Sequence, residues 1–66
     1  FDGRKDDPLG CFNVSDQGFK ELTSIVMKIA EKHCNGRVLS ILEGGYNIVG
    51  NAKAAVAHVQ MLNNLL

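Results

Sequence analysis

The chain has 66 residues, near the lower limit at which a single apolar core holds a domain together without a staple. Seven basic residues balance seven acidic ones, so charge gives no reason to expect attraction to nucleic acid or to a membrane surface. No apolar run reaches the roughly 18 residues of a membrane span, and no signal-peptide pattern is present.

The sequence starts at Phe1 without a methionine, which suggests a processed, trimmed or truncated piece. Cys11 and Cys34 form no disulfide framework and no C-x-x-C pair. They are expected as reduced thiols packed as small apolar groups, in a cytoplasmic setting. A zinc site built from His33, Cys34, Cys11 and His58 is formally possible, but adjacent His-Cys is not a usual chelate spacing.

In chain order, the first fourteen residues, FDGRKDDPLGCFNV, carry Gly3, Gly10, Pro8 and a tight set of charges, and read as loop. Ser15 offers a helix N-cap, and Asp16 follows in the first turn, where the helix dipole favours an anion. Phe19, Leu22, Ile25, Val26 and Ile29 repeat at threes and fours, which predicts a helix over 16–34 with that face buried. Asn35-Gly36 ends it.

The run RVLSIL, 37–42, is apolar except for Arg37 and Ser40, and predicts a strand covered on both faces. EGGYN, 43–47, ends that strand as a glycine-bearing loop. A second helix is expected from about 49 to 64, with Ala52, Ala55, Val56, Val59 and Leu62 on its buried face. The fold class expected is therefore α/β, a helix–strand–helix slice of a larger sheet protein. One strand cannot satisfy its own backbone groups. The expectation is more chain, or copies of this chain pairing strand to strand.

In open α/β sheets, sites gather beyond the C-terminal ends of strands, which places Tyr46 of the EGGYN loop in such a position. A tyrosine there can present its hydroxyl to a developing oxyanion. Taken alone, a Gly-Gly-Tyr loop is more often a turn with a packed ring. Asp2, Asp6 and Asp7 lie close together beside proline and glycine, and a carboxylate on a constrained loop is a plausible hard ligand for a divalent metal. Taken alone, they also describe a solvated acidic turn offset by Arg4 and Lys5. A phosphate-binding role for EGGYN has little support, since Glu43 would repel phosphate and the glycine spacing fits no dinucleotide or P-loop fingerprint.

Read in order, FD, then DPLG, then FN and a helix, then RVLSILEGGYN resembles the histone deacetylase superfamily over essentially the whole chain. The likeness is nearest to the class II branch and to the bacterial acetylpolyamine and acetoin-utilisation branches. It implies that residues 1–66 are the C-terminal portion of a catalytic domain of the arginase/deacetylase parallel-sheet type, here incomplete.

By resemblance, Asp2 matches one of three protein ligands to a catalytic zinc, and Leu9 a position lining the acyl-lysine tunnel. Gly44 and Gly45 match the glycine pair of the pocket wall, and Tyr46 the tyrosine that hydrogen-bonds the substrate carbonyl and later the oxyanion. Asp7 matches an aspartate read as structural; the residue before it is Asp6 where the family has glycine, a departure that bears on the turn.

The implied activity is hydrolysis of acetyl-lysine or acetylated amines such as polyamines, with zinc as cofactor and no direct nucleic-acid or membrane partner. The family's Asp-x-His segment and His-His pair are not in this sequence. His33 and His58 are expected on a helix surface or packed, and the isolated piece is expected to be inactive. The alternative reading is a non-catalytic fragment that folds by self-association.

Overall fold

The computed structural model describes residues 1–63. Its framework is two helices, α1 (Asp16–Cys34) and α2 (Ile48–Asn63), which pack against each other.

The start and end of α1 follow from local chemistry. Ser15 is extended at φ −84°, ψ 170°, and its hydroxyl accepts the Gly18 amide at 3.0 Å. Such a cap contributes about 1 kcal/mol relative to alanine. At the other end Asn35 is left-handed, φ 56°, and the amides of Asn35 and Gly36 turn back onto the Ala30 carbonyl. The expected boundaries of α1 are the observed ones. For α2, Asn47 supplies the cap, its Oδ1 accepting the Gly50 amide at 2.7 Å. The helix begins one residue before the expected start, and residue 64 of the expected range lies outside the described residues.

The α/β expectation is corrected. Among the described residues there is no strand and no sheet, only an isolated parallel bridge between Arg4 and Val14. A ladder needs a second strand about 4.8 Å away, and residues 38–42 make no backbone–backbone hydrogen bond to another described residue. The run that reads as a two-faced buried strand is instead irregular and open, with Leu39 at 85% and Ile41 at 77% exposure.

The expected helix faces are corrected too. Leu22, Ile25, Val26 and Ile29 of α1 are all at least half exposed, whereas Thr23, Met27 and Ala30 are buried. On α2, Val56 and Val59 lie outside while Gly50, Ala54 and Ala57 are buried. The physical reason is close approach: small residues at Ala54 and Ala57 let α2 seat its narrow side on α1, Gly50 is covered by the Arg4 side chain, and each helix's bulkier apolar stripe faces away. Cys11 and Cys34, expected to be packed, are both exposed and unpaired.

The consequence is visible in the surface. The chain exposes 4903 Å², against about 4100 Å² for a compact monomer of this mass. No helix of the described residues is long and apolar enough to cross a membrane.

Candidate functional site

The loop 1–14 is drawn onto both helices by Arg4. Its guanidinium is buried, with Nε 2.7 Å from Asp6 Oδ1 and a terminal nitrogen donating to Asp16 at the start of α1. The same side chain crosses α2 at Gly50, where a Cβ would lie 2.6 Å from Nε. Arg4 is thus more than a counter-charge to an acidic turn. It locks the turn to the helix pair, and Asp6, standing where glycine was expected, is part of that lock.

Asp7 joins the two site-bearing loops. Oδ1 accepts the Leu9 and Gly10 amides, each at 2.9 Å, which shapes the DPLG turn. Oδ2 accepts the Tyr46 amide at 2.6 Å, across 39 residues of sequence. The structural reading of Asp7 corresponds to these bonds. Burial by itself pushes its pKa up, but donation from the amides of Tyr46, Leu9, Gly10 and Asn47 outweighs it, and the net shift is below the ordinary 3.8.

A depressed folded pKa means that the ionised form stabilises the joined loops. This contribution is complete above the unfolded value and is lost as pH falls from about 3.8 through the folded pKa. Amide-exchange protection of Tyr46 and Asn47 is therefore expected to hold at neutral pH and to decline in that acid window. Asp7→Asn should remove the acid step, and a step that persists in that variant would show that another group causes it.

Asp2 lies beside the Gly44 backbone. A Cβ at Gly44 would sit 2.8 Å from the Asp2 carboxyl carbon, so a side chain there would displace the carboxylate. The Phe1 nitrogen donates to the Gly44 carbonyl, a second tie between the same segments. Gly45 has φ 141°, a region costly for any residue with a Cβ, and the Asn51 side chain fills the space a Cβ would need. The Asp2 carboxylate is exposed and makes no hydrogen bond to another described residue.

Leu9 is 70% exposed and Tyr46 52% exposed, and the hydrogen bond Tyr46 makes to a described residue is that of its amide, not of its hydroxyl. The structure thus brings Asp2 to Gly44, and Leu9 to Tyr46 through Asp7. A cleft of about 410 Å³ opens beside them, lined by Phe1, Ile41, Leu42 and His58, but Asp2 and Tyr46 do not line it.

No group of three His, Cys, Asp or Glu side chains able to hold a metal occurs among the described residues. His33 is exposed, and His58 is hydrogen-bonded through both ring nitrogens. Sequence reasoning took Arg4 only as a counter-charge to the acidic turn, and missed its link to the helices, the Asn47 cap and the His58 contacts. Asn47 was findable, as a capping residue directly before a helical pattern; the other two depend on distant partners.

A sequence model described as the histone deacetylase domain matches residues 1–62. The chain belongs to the histone deacetylase family. It is 42% identical over 48 residues to type-2 histone deacetylase 2 of Dictyostelium discoideum, covering 73% of this chain and 3% of that protein. It is 37% identical over 62 residues to histone deacetylase 15 of Arabidopsis thaliana, covering 94% and 10%. A histone deacetylase-like amidohydrolase of Pseudomonas aeruginosa is 36% identical over 47 residues, covering 71% and 12%. The chain thus spans only a small share of these deacetylases, at most about an eighth of their length.

Proposed function

We propose that this chain forms part of a zinc-dependent deacetylase site, with Asp2 as one metal ligand and Tyr46 as the donor to the substrate carbonyl. The observation that carries the reading is the mutual anchoring of the two loops: Asp7 holds the Tyr46 amide while Asp2 rests on Gly44. Two side chains 44 positions apart are thereby tied to one framework.

The Asp2 carboxylate suits zinc as an exposed, unpartnered oxygen donor. A catalytic zinc takes about three protein ligands, so Asp2 would share the ion with groups other than those described. When bound, zinc polarises the acetamide carbonyl and lowers the pKa of a bound water. Tyr46 donates its hydroxyl hydrogen to the carbonyl oxygen as negative charge grows there. Leu9 and the Gly44-Gly45 backbone line the passage of the acylated side chain.

The substrate class is an acetylated lysine or polyamine. Neither His33 nor His58 is placed as general base, and the 66 residues alone are inactive. The exposed, unpaired thiols support a reducing, cytoplasmic setting. The test is Tyr46→Phe in the complete zinc-loaded domain, read as turnover with zinc content measured alongside.

A second reading concerns the 66 residues by themselves. Their surface exceeds that of a compact monomer by about 800 Å², close to one partner's share of a standard interface. The excess coincides with exposed Ile25, Val26 and Ile29 on α1 and Val56 and Val59 on α2. The isolated chain is expected to self-associate through these faces. Sedimentation over a range of concentrations should show its average mass rising; a single monomeric species throughout would sink this reading.

A further inference from the structure

Groups from distant parts of the chain converge on the ring of His58, which is half-buried on α2. Thr23 Oγ1 of α1 lies 2.7 Å from Nδ1, and Ser40 Oγ lies 2.7 Å from Nε2. The Phe1 ring meets the imidazole edge-on with centroids 6.0 Å apart, and meets Phe19 at 5.1 Å. Counting hydrogens fixes the directions. The Thr23 hydroxyl has one hydrogen and gives it to the Phe19 carbonyl, 2.7 Å away, so towards the imidazole it can only accept. Nδ1 of the neutral ring therefore carries the proton, Nε2 presents its lone pair, and the Ser40 hydroxyl donates to it.

We infer that His58, held in the Nδ1–H tautomer, is a positioning residue that clamps both site-bearing arms to the helix pair. Phe1 adjoins Asp2, and Ser40 lies six residues before Tyr46. Among the described residues, the Ser40–His58 bond is the sole hydrogen bond made by residues 38–43, since their backbone makes none. The arm that leads to Tyr46 is thus tied to His58 near its middle, to the Phe1 nitrogen at Gly44, and to Asp7 at its end. The neighbouring charged group on that arm is Glu43, which lines the same cleft as His58. The clamp and its tautomer stand on geometry alone; its importance to chemistry rests on the proposed roles of Asp2 and Tyr46.

Nitrogen-15 NMR of the imidazoles in the full chain, in mildly alkaline buffer, tests the tautomer, with exposed His33 as internal reference. His58 is expected as a pure Nδ1–H form, distinct from His33. An Nε2–H form, or a spectrum like that of His33, overturns the proposal. Ser40→Ala is expected to speed exchange of the Tyr46 amide, the amide of this arm that Asp7 holds, about 2- to 12-fold, the size of one net hydrogen bond. His58→Ala should speed the same amide at least as much, and adding Ser40→Ala to it should change nothing more. Additive effects in the double variant would overturn the clamp.

In the complete domain, Ser40→Ala should lower kcat with KM retained, and an unchanged kcat would remove the positioning role. Absence of any deacetylase activity in the unaltered domain would instead defeat the catalytic reading and leave the NMR result standing.

Discussion

Replacing Tyr46 with phenylalanine in the complete zinc-loaded domain is expected to lower turnover on an acetyl-lysine or acetylpolyamine substrate about 100- to 1000-fold, the effect of removing one oxyanion donor. The substitution is clean for a structural reason. Tyr46 is anchored by its backbone amide on Asp7, 2.6 Å away, and its exposed side chain takes no part in that bond. Phenylalanine keeps the amide, the ring and the loop, and loses only the donor. Because the bond strengthens as charge moves onto the carbonyl oxygen, the loss should fall on kcat and leave KM close to its original value. Zinc content should not change, since the tyrosine is assigned no ligand role. Wild-type turnover in this variant would refute the assignment.

What the sequence disclosed divides along a physical line. The bounds of α1 were legible because they are written locally, in the Ser15 cap and in the left-handed Asn35 followed by Gly36. The apolar stripes of α1 and α2 were also legible as stripes. Which stripe is covered was not, because α1 carries apolar residues on two sides and the choice is made by the small residues of α2. A rule that buries the bulkiest face fails where helices pack through alanine. RVLSIL failed for a related reason: strand propensity resides in the residues, but a strand exists only with a partner's hydrogen bonds, and residues 38–42 have none among those described.

The candidate site was read from order and family likeness more than from periodicity, and its residues lie on loops whose contacts do not depend on the expected sheet. Asp2, Gly44, Leu9 and Tyr46 are joined by loop-to-loop contacts that need no strand between them. The Arg4–Asp16 and Ser40–His58–Thr23 pairings were illegible because they join positions 12 or more apart, whereas the Arg4–Asp6 pairing is local to the acidic turn.

The carboxylates of Asp2 and Asp7, five residues apart, are expected to respond to substitution in opposite ways. Asp7 has both oxygens committed to backbone amides, so its lone pairs are already directed into the turn. Asp2 is exposed, its carboxylate is bonded to no described donor, and it lies against Gly44. A metal takes lone pairs that point at it, and the spent oxygens of Asp7 cannot provide them.

In the complete domain, Asp2→Asn should weaken zinc binding by more than the roughly 10- to 100-fold typical of losing an outer-shell partner, because a charged ligand itself is removed. Activity should fall with the bound metal, and helix content should be unchanged because Asp2 supports neither helix. Asp7→Asn should keep its zinc and lose the acid-sensitive order of Tyr46 and Asn47. Elemental analysis after dialysis against a chelator separates the two. If Asp2→Asn retained zinc as firmly as the unaltered domain, the ligand would have to be sought elsewhere, and the reading of Asp2 would fall while that of Tyr46 stood.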